Sequence, residues 1–201
     1  MNEDFQVPFL DYQQIVAKTQ EFLKQYHPSG EIPIPIETIV EHDLGINIVL
    51  IPGLHQTFEI DGFTSSDLKE ISVDMAAFDN WPKRLRFTLA HEVGHLIMHR
   101  ELFQSHRFLM VSEWKNFIKD FPEKEYGYLE SQANNFAGAL LVPTEPLKSE
   151  YAKVRKRVEK MGVSFNELTD VAWDFVCQGL GNFFDVSKDV IRIRLERESL
   201  K

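Results

Sequence analysis

The run Thr88-Leu89-Ala90-His91-Glu92-Val93-Gly94-His95 carries an H-E-x-x-H spacing inside a stretch that reads as helix. Residues four apart lie one above the other on a helix face, so His91 and His95 can offer two imidazole nitrogens to one divalent ion. Glu92 sits about 100° round the helix from His91. That position suits a carboxylate that holds a water beside the metal and takes its proton, not a third ligand. His99 continues the face, but its Cα lies about 12 Å along the axis from that of His91, so three histidines on one ion would be strained. It is expected instead at the helix end, meeting the C-terminal dipole or supporting a ligand from behind.

Two histidines need a third protein donor, with one position left to water when the metal is catalytic. The metzincin pattern would place Gly at 98 and His at 101; Met98 and Glu101 stand there, which excludes that class. The donor must therefore come from another element. Glu130 is the candidate, one turn before Ala133 on an apolar helix whose small Ala133 and Ala137 allow close approach, with Glu123 and Glu125 as alternatives. Asn134, one turn past Glu130, either holds a ligand in place or is a core polar residue with a backbone partner. Tyr126, Tyr128 and His55 are weak candidates for stabilising an oxyanion. A His-His-Glu set suits Zn²⁺, and Mn²⁺ or another divalent ion is also accepted by such sites.

These residues need elements to position them. Asp11 to Tyr26 has helical spacing and stops before His27-Pro28-Ser29-Gly30; a short helix is predicted from Pro35 to His42. Ile46 to Ile51 reads as a buried strand, and Phe58 to Phe63 and Lys69 to Asp74 as two more. Pro82 suits the first turn of the motif helix, which should run to about Arg100. After a loop at Phe121-Pro122, Glu125 to Leu141 is predicted helical, ending at Pro143. Ser164 with Glu167, and Ser187, read as N-caps of two further helices, with Val163/Leu168 and Val186/Ile191 as hydrophobic staples. The expected fold is α+β: a small, mainly antiparallel sheet packed on a zincin-like helical core, with a helical C-terminal portion. The expected division is a metallopeptidase unit over 1–145 and a helical subdomain over 146–201.

Two segments together resemble the ImmA/IrrE family of bacterial metallopeptidases. They are Arg86-Phe87-Thr88-Leu89-Ala90-His91-Glu92-Val93-Gly94-His95 and the later Glu130-Ser131-Gln132-Ala133-Asn134-Asn135-Phe136-Ala137 continuing to Pro143. In outline the resemblance spans about residues 30 to 197, taking in Asp61-Gly62, Ile71-Ser72-Val73-Asp74 and Phe184-Asp185-Val186-Ser187, with only the two motifs specific. It implies metal ligation by His91, His95 and Glu130, with Glu92 as catalytic base. It also implies a substrate, since known members cut helix-turn-helix repressors and so release stress-response or mobile-element genes.

Composition narrows the setting. At 201 residues, 43% apolar and 26% charged, the chain suits one well-buried domain with at most a small appendage. No apolar run reaches the roughly 18 residues a membrane span needs. Met1-Asn2-Glu3-Asp4-Phe5 is acidic and unlike a secretory signal, and the single Cys177 allows neither an internal disulfide nor thiolate zinc ligands, so a cytoplasmic location is expected. The net charge of −9 argues against direct nucleic-acid binding, and the basic cluster Lys153, Arg155, Lys156, Arg157 and Lys160 reads as a solvated helix face. The expected activity is zinc-dependent endoproteolysis of a partner protein, a helix-turn-helix repressor. The alternative is a non-proteolytic metal-binding module acting on a repressor or DNA.

Overall fold

Asp11 opens the first helix, α1 (Tyr12–Tyr26): its carboxylate accepts the Gln14 N–H at 2.8 Å, and the Gln14 side chain accepts the Asp11 N–H at 2.8 Å. A computed structural model describes residues 6–201, Asn166 by its backbone alone; Met1–Phe5, on which the reading of the leader rests, lies outside the described residues. α1 buries Ile15, Val16, Thr19 and Phe22, and the Phe22 ring meets Phe136 edge-on at 6.1 Å. A short turn, α2 (Ile36–Thr38), runs into a wider π-helical turn over Ile39–Asp43, where the spacing predicts a single helix. Gly45, at φ 65°, then releases the chain into β1 (Asn47–Ile51).

The predicted strand over Phe58 to Phe63 forms only at its end. Gly53 (φ 69°) and Glu59 (φ 59°) are both left-handed and bracket one helical turn, α3 (Leu54–Phe58), whose His55 N–H is accepted by Asp74 Oδ2 at 2.9 Å. β2 is therefore short (Gly62–Thr64), and β3 follows (Glu70–Asp74). The strand order is β1-β3-β2, with β1 parallel to β3 (Asn47↔Glu70 to Ile51↔Asp74) and β2 antiparallel to it (Gly62↔Val73 to Thr64↔Ile71). The sheet is thus mixed, and its longer pairing is the parallel one, where a mainly antiparallel sheet is expected. The physical reason is the connection: the chain between β1 and β3 is long enough for the crossover that parallel pairing requires.

Asp74 ends β3 and caps α4 (Met75–Asn80) through the N–H groups of Ala76 and Ala77 at 2.9 and 3.3 Å. α5 (Pro82–Met98) is the motif helix. Two short helices, α6 (Arg100–Gln104) and α7 (Val111–Lys119), occupy a region the periodicity leaves unassigned. Aromatic packing holds them: Phe103 lies 5.5 Å from Phe108, and Phe108 stacks on Phe117 at 4.8 Å. α8 (Glu123–Leu141) then crosses α5, and α9 (Thr144–Lys160), α10 (Asp170–Phe184) and α11 (Lys188–Arg197) complete the helical C-terminal portion of this α+β fold.

Ser164 starts no long helix. Its side chain makes no cap, and only a 3₁₀ turn, Phe165–Glu167, follows before the chain extends at Leu168. Phe165 is drawn against the Tyr151 and Trp173 rings at 5.4 and 5.9 Å, and Thr169 Oγ1 caps α10 in its place by accepting the Ala172 N–H at 3.3 Å. Ser187 does cap α11, accepting the Val190 N–H at 3.3 Å, with Val186 and Ile191 both fully buried beside it. Among the described residues, no helix is long and apolar enough to cross a membrane.

Candidate metal centre

The site lies where α5 crosses α8, and glycine sets how close they come. A Cβ on Gly94 would sit 3.2 Å from Ala133 Cα and 3.2 Å from Phe136 Cβ, so the bare glycine brings the two backbones together beside His91 and His95. On the opposite side, Gly62 of β2 approaches α5 so closely that a Cβ would meet Thr88 Cγ2 at 2.7 Å. The sheet edge and α8 thereby flank the same turns of the motif helix.

His91, His95 and Glu130 converge, each offering an atom within 4.8 Å of the others. His91 Nε2 and His95 Nε2 are 2.9 Å apart, and the Glu130 carboxylate oxygens lie 3.3 and 3.6 Å from them respectively. Ligand bonds of about 2.0–2.2 Å at tetrahedral angles separate donor atoms by roughly 3.4 Å. The observed spacings match that size, so the residues fit a zinc-like ion. The alternatives for the third donor point elsewhere: Glu125 accepts the Val7 N–H at 3.0 Å, and Glu123 is exposed at the start of α8.

Behind the donors, the far ring nitrogens are engaged. His91 Nδ1 is 3.0 Å from Asn134 Oδ1, and His95 Nδ1 is 3.0 Å from His99 Nδ1. His99 thus sits at the end of α5 without joining the cluster, as its axial distance predicts. Phe103 stacks on the His95 ring at 5.3 Å.

Glu92 is buried at 4% exposure, and its carboxylate accepts the Thr64 hydroxyl at 2.8 Å. Burial pushes its carboxyl up from 4.5 to about 7, against the opposing pull of the His91 charge and the Thr64 hydroxyl. Burial holds His95 well below the usual imidazole range and brings His99 down to about 4. For His91 burial acts the same way, but the Glu130 bond and the nearby carboxylate charges outweigh it and raise its pKa.

The cluster opens on a cleft of about 270 Å³ lined by Glu59–Gly62 on the sheet side and by Phe87, Phe103, Trp114, Ile118 and Leu129. Of the three oxyanion candidates, the structure brings only Tyr126 to this cleft, where burial and its bond to Glu130 push the hydroxyl's pKa up. Tyr128 faces Lys124, and His55, which does not line the cleft, pairs with Asp61 at 3.0 Å. Sequence reasoning missed Thr64, which lies just past the predicted strand ending at Phe63, and Gln132, the acceptor for His99 Nε2 at 3.0 Å. Gln132 left one signal: a polar residue on the face of α8 that carries Leu129, Ala133 and Phe136 inward.

Two histidines a turn apart with a carboxylate from a crossing helix form the donor set of a class of metal-dependent hydrolases. The chain belongs to the IrrE N-terminal-like domain family, Peptidase_M78, whose profile matches residues 79–196, and a metallopeptidase-type site is what that family implies. The match contains both motifs and begins after the three strands. No curated protein matches the chain. Among solved structures, the fold is similar to that of a Mycobacterium tuberculosis transcriptional regulator, with TM-score 0.55 and 16% identity over 90% of this chain. The chain spans 55% of the length of that protein.

Proposed function

We propose that the chain is a zinc-dependent endopeptidase that hydrolyses a peptide bond in a helix-turn-helix transcriptional repressor. The observation that carries this reading is the convergence of His91, His95 and Glu130 beside a buried carboxylic acid, Glu92, in a cleft that also presents Phe87, Phe103 and Trp114. His91, His95 and Glu130 would hold the ion. When bound, it supplies Lewis acidity to the peptide carbonyl and lowers the pKa of water to near neutrality.

The chain's own residues do the rest. Glu92 takes the proton of the attacking water, holds it in a buried pocket that tolerates the neutral acid, and gives it to the leaving amide nitrogen. A carboxyl near 7 suits both halves of that shuttle. Thr64 fixes the carboxylate from the sheet side. β2 is an edge strand whose Gly62 lines the cleft, so an extended peptide would lie beside this end of the sheet, while Phe87, Phe103 and Trp114 would offer apolar contact for its side chains.

The test is incubation of the purified chain with a helix-turn-helix protein encoded beside it, with zinc and with EDTA, read by mass spectrometry. New fragments that require zinc and vanish in Glu92→Gln are expected. An intact partner whose DNA binding still changes, equally with Glu92→Gln, would instead favour the non-proteolytic regulatory module.

A further inference from the structure

We infer that His99, Gln132 and the backbone carbonyl of Pro8 form a hydrogen-bond relay that fixes the tautomer of His95 and so sets how tightly the site holds its ion. This rests on the metal-site reading above and extends it to residues remote from the cleft.

The chain of contacts has one consistent direction. Gln132 Nε2 lies 2.8 Å from Pro8 O, and a carbonyl can only accept, so the amide nitrogen points at Pro8 and the amide oxygen faces His99. That oxygen is 3.0 Å from His99 Nε2, which must therefore carry its proton. His99 Nδ1 is left with a lone pair, 3.0 Å from His95 Nδ1, which donates to it. His95 Nε2 is then bare, and it is the atom that faces His91 and Glu130. With His99 neutral, the form its burial favours, reversing any one bond would set two donors or two acceptors against each other inside the protein.

Its three side chains are buried, His95, His99 and Gln132 each 4% exposed or less, while Pro8, which contributes only its carbonyl, is exposed. Its anchor is held independently of the site. Val7 is buried and its N–H is bound by Glu125, which pins the segment before α1 onto α8, the helix that also carries Glu130 and Gln132. His99, Gln132 and Pro8 are positioning groups, acting through His95. Removing such a partner behind a metal-bound histidine typically costs about 10–100-fold in affinity.

Zinc affinity, measured by competition with a chromophoric chelator, is compared for wild type, His99→Phe, His99→Gln and Gln132→Leu, alongside thermal unfolding of each metal-free protein. His99→Phe and Gln132→Leu should bind zinc about 10–100-fold more weakly. His99→Gln, whose amide can accept from His95 and donate to Gln132, should recover most of the loss. In wild-type zinc protein, ¹⁵N–¹H correlation spectra should show His99 protonated on Nε2 and a scalar coupling across the hydrogen bond between His95 Nδ1 and His99 Nδ1. That signature does not depend on either variant folding. Wild-type affinity in His99→Phe and Gln132→Leu, or His99 protonated on Nδ1, would overturn the relay while leaving the metal site standing. Failure of the wild-type chain to bind zinc would overturn both.

Discussion

Glu92→Gln should raise the stability of the metal-free protein at alkaline pH while abolishing its proposed activity. Glutamine keeps the size and the acceptor that Thr64 uses, and removes only the ionisation. Burial raises the carboxyl from 4.5 in an ordinary setting to about 7, so the folded state resists losing this proton. Because the folded pKa is the higher one, the associated stability is fully present below pH 4.5 and is lost as pH rises through about 7. At 1.36 kcal/mol per pH unit, the wild type gives up at most about 3 kcal/mol by pH 8 relative to glutamine. Part of this is offset, since the Glu92 carboxylate favours protonated His91. For a chain of this size 3 kcal/mol corresponds to roughly 6–12 °C in Tm. Thermal unfolding in EDTA should therefore show the variant and wild type nearly coincident at pH 4.5 and separated by up to that amount at pH 8, with the variant higher. Bound metal narrows the gap, because its positive charge favours the carboxylate. Cleavage in zinc should fall by about 10²–10⁴-fold, while zinc affinity is retained. Identical Tm values at both pH values would refute the desolvation argument, and full cleavage by the variant would refute the role of Glu92 as base.

Three further substitutions test the frame. Gly94→Val places carbon where Ala133 Cα already lies 3.2 Å away, so α8 must retreat and carry Glu130 with it; stability should fall by about 1–3 kcal/mol and cleavage by about 100-fold, and unchanged Tm and zinc affinity would sink this account of the crossing. Glu130→Gln removes the charge facing His91 and His95 at 3.3 and 3.6 Å, and chelator competition should show zinc bound more than about 10-fold more weakly. Arg194→Ala strips a buried guanidinium from the Val142 carbonyl, Thr144 and Glu198, at 3.0, 3.0 and 2.9 Å. Urea unfolding should lose about 3–5 kcal/mol, with zinc stoichiometry of the folded fraction unaltered.

Much of the helical frame is legible because each device is local. Pro82 in the first turn, the Ser187 cap and the Val186/Ile191 pair all act within a few residues, and the elements they mark form where expected. Errors arise where tertiary contacts outbid the local pattern. Phe58 to Phe63 alternates as a strand should, yet the His55–Asp74 bond and two left-handed residues wind its start into a turn. Ser164 and Glu167 spell a cap, yet burial of Phe165 between Tyr151 and Trp173 ends the turn early. The parallel pairing of β1 with β3 depends on the path of the connection, which no single strand's pattern records.

The site divides along the same line. His91, Glu92 and His95 are legible because one helix fixes their mutual geometry. Glu130 needed the second motif, and its position depends on Gly94, a residue that helix propensity alone counts as a cost of about 1 kcal/mol relative to alanine. That cost is offset by what the missing side chain permits: a crossing close enough to bring the carboxylate within 3.6 Å of both imidazoles. The support behind His95 lies further from reach of the sequence, because its last member is a main-chain carbonyl, which every residue possesses, bonded to a side chain 124 positions away. Residue identity can nominate the atoms that touch an ion; which nitrogen of each imidazole is free to do so is decided by acceptors that only the folded chain brings into place.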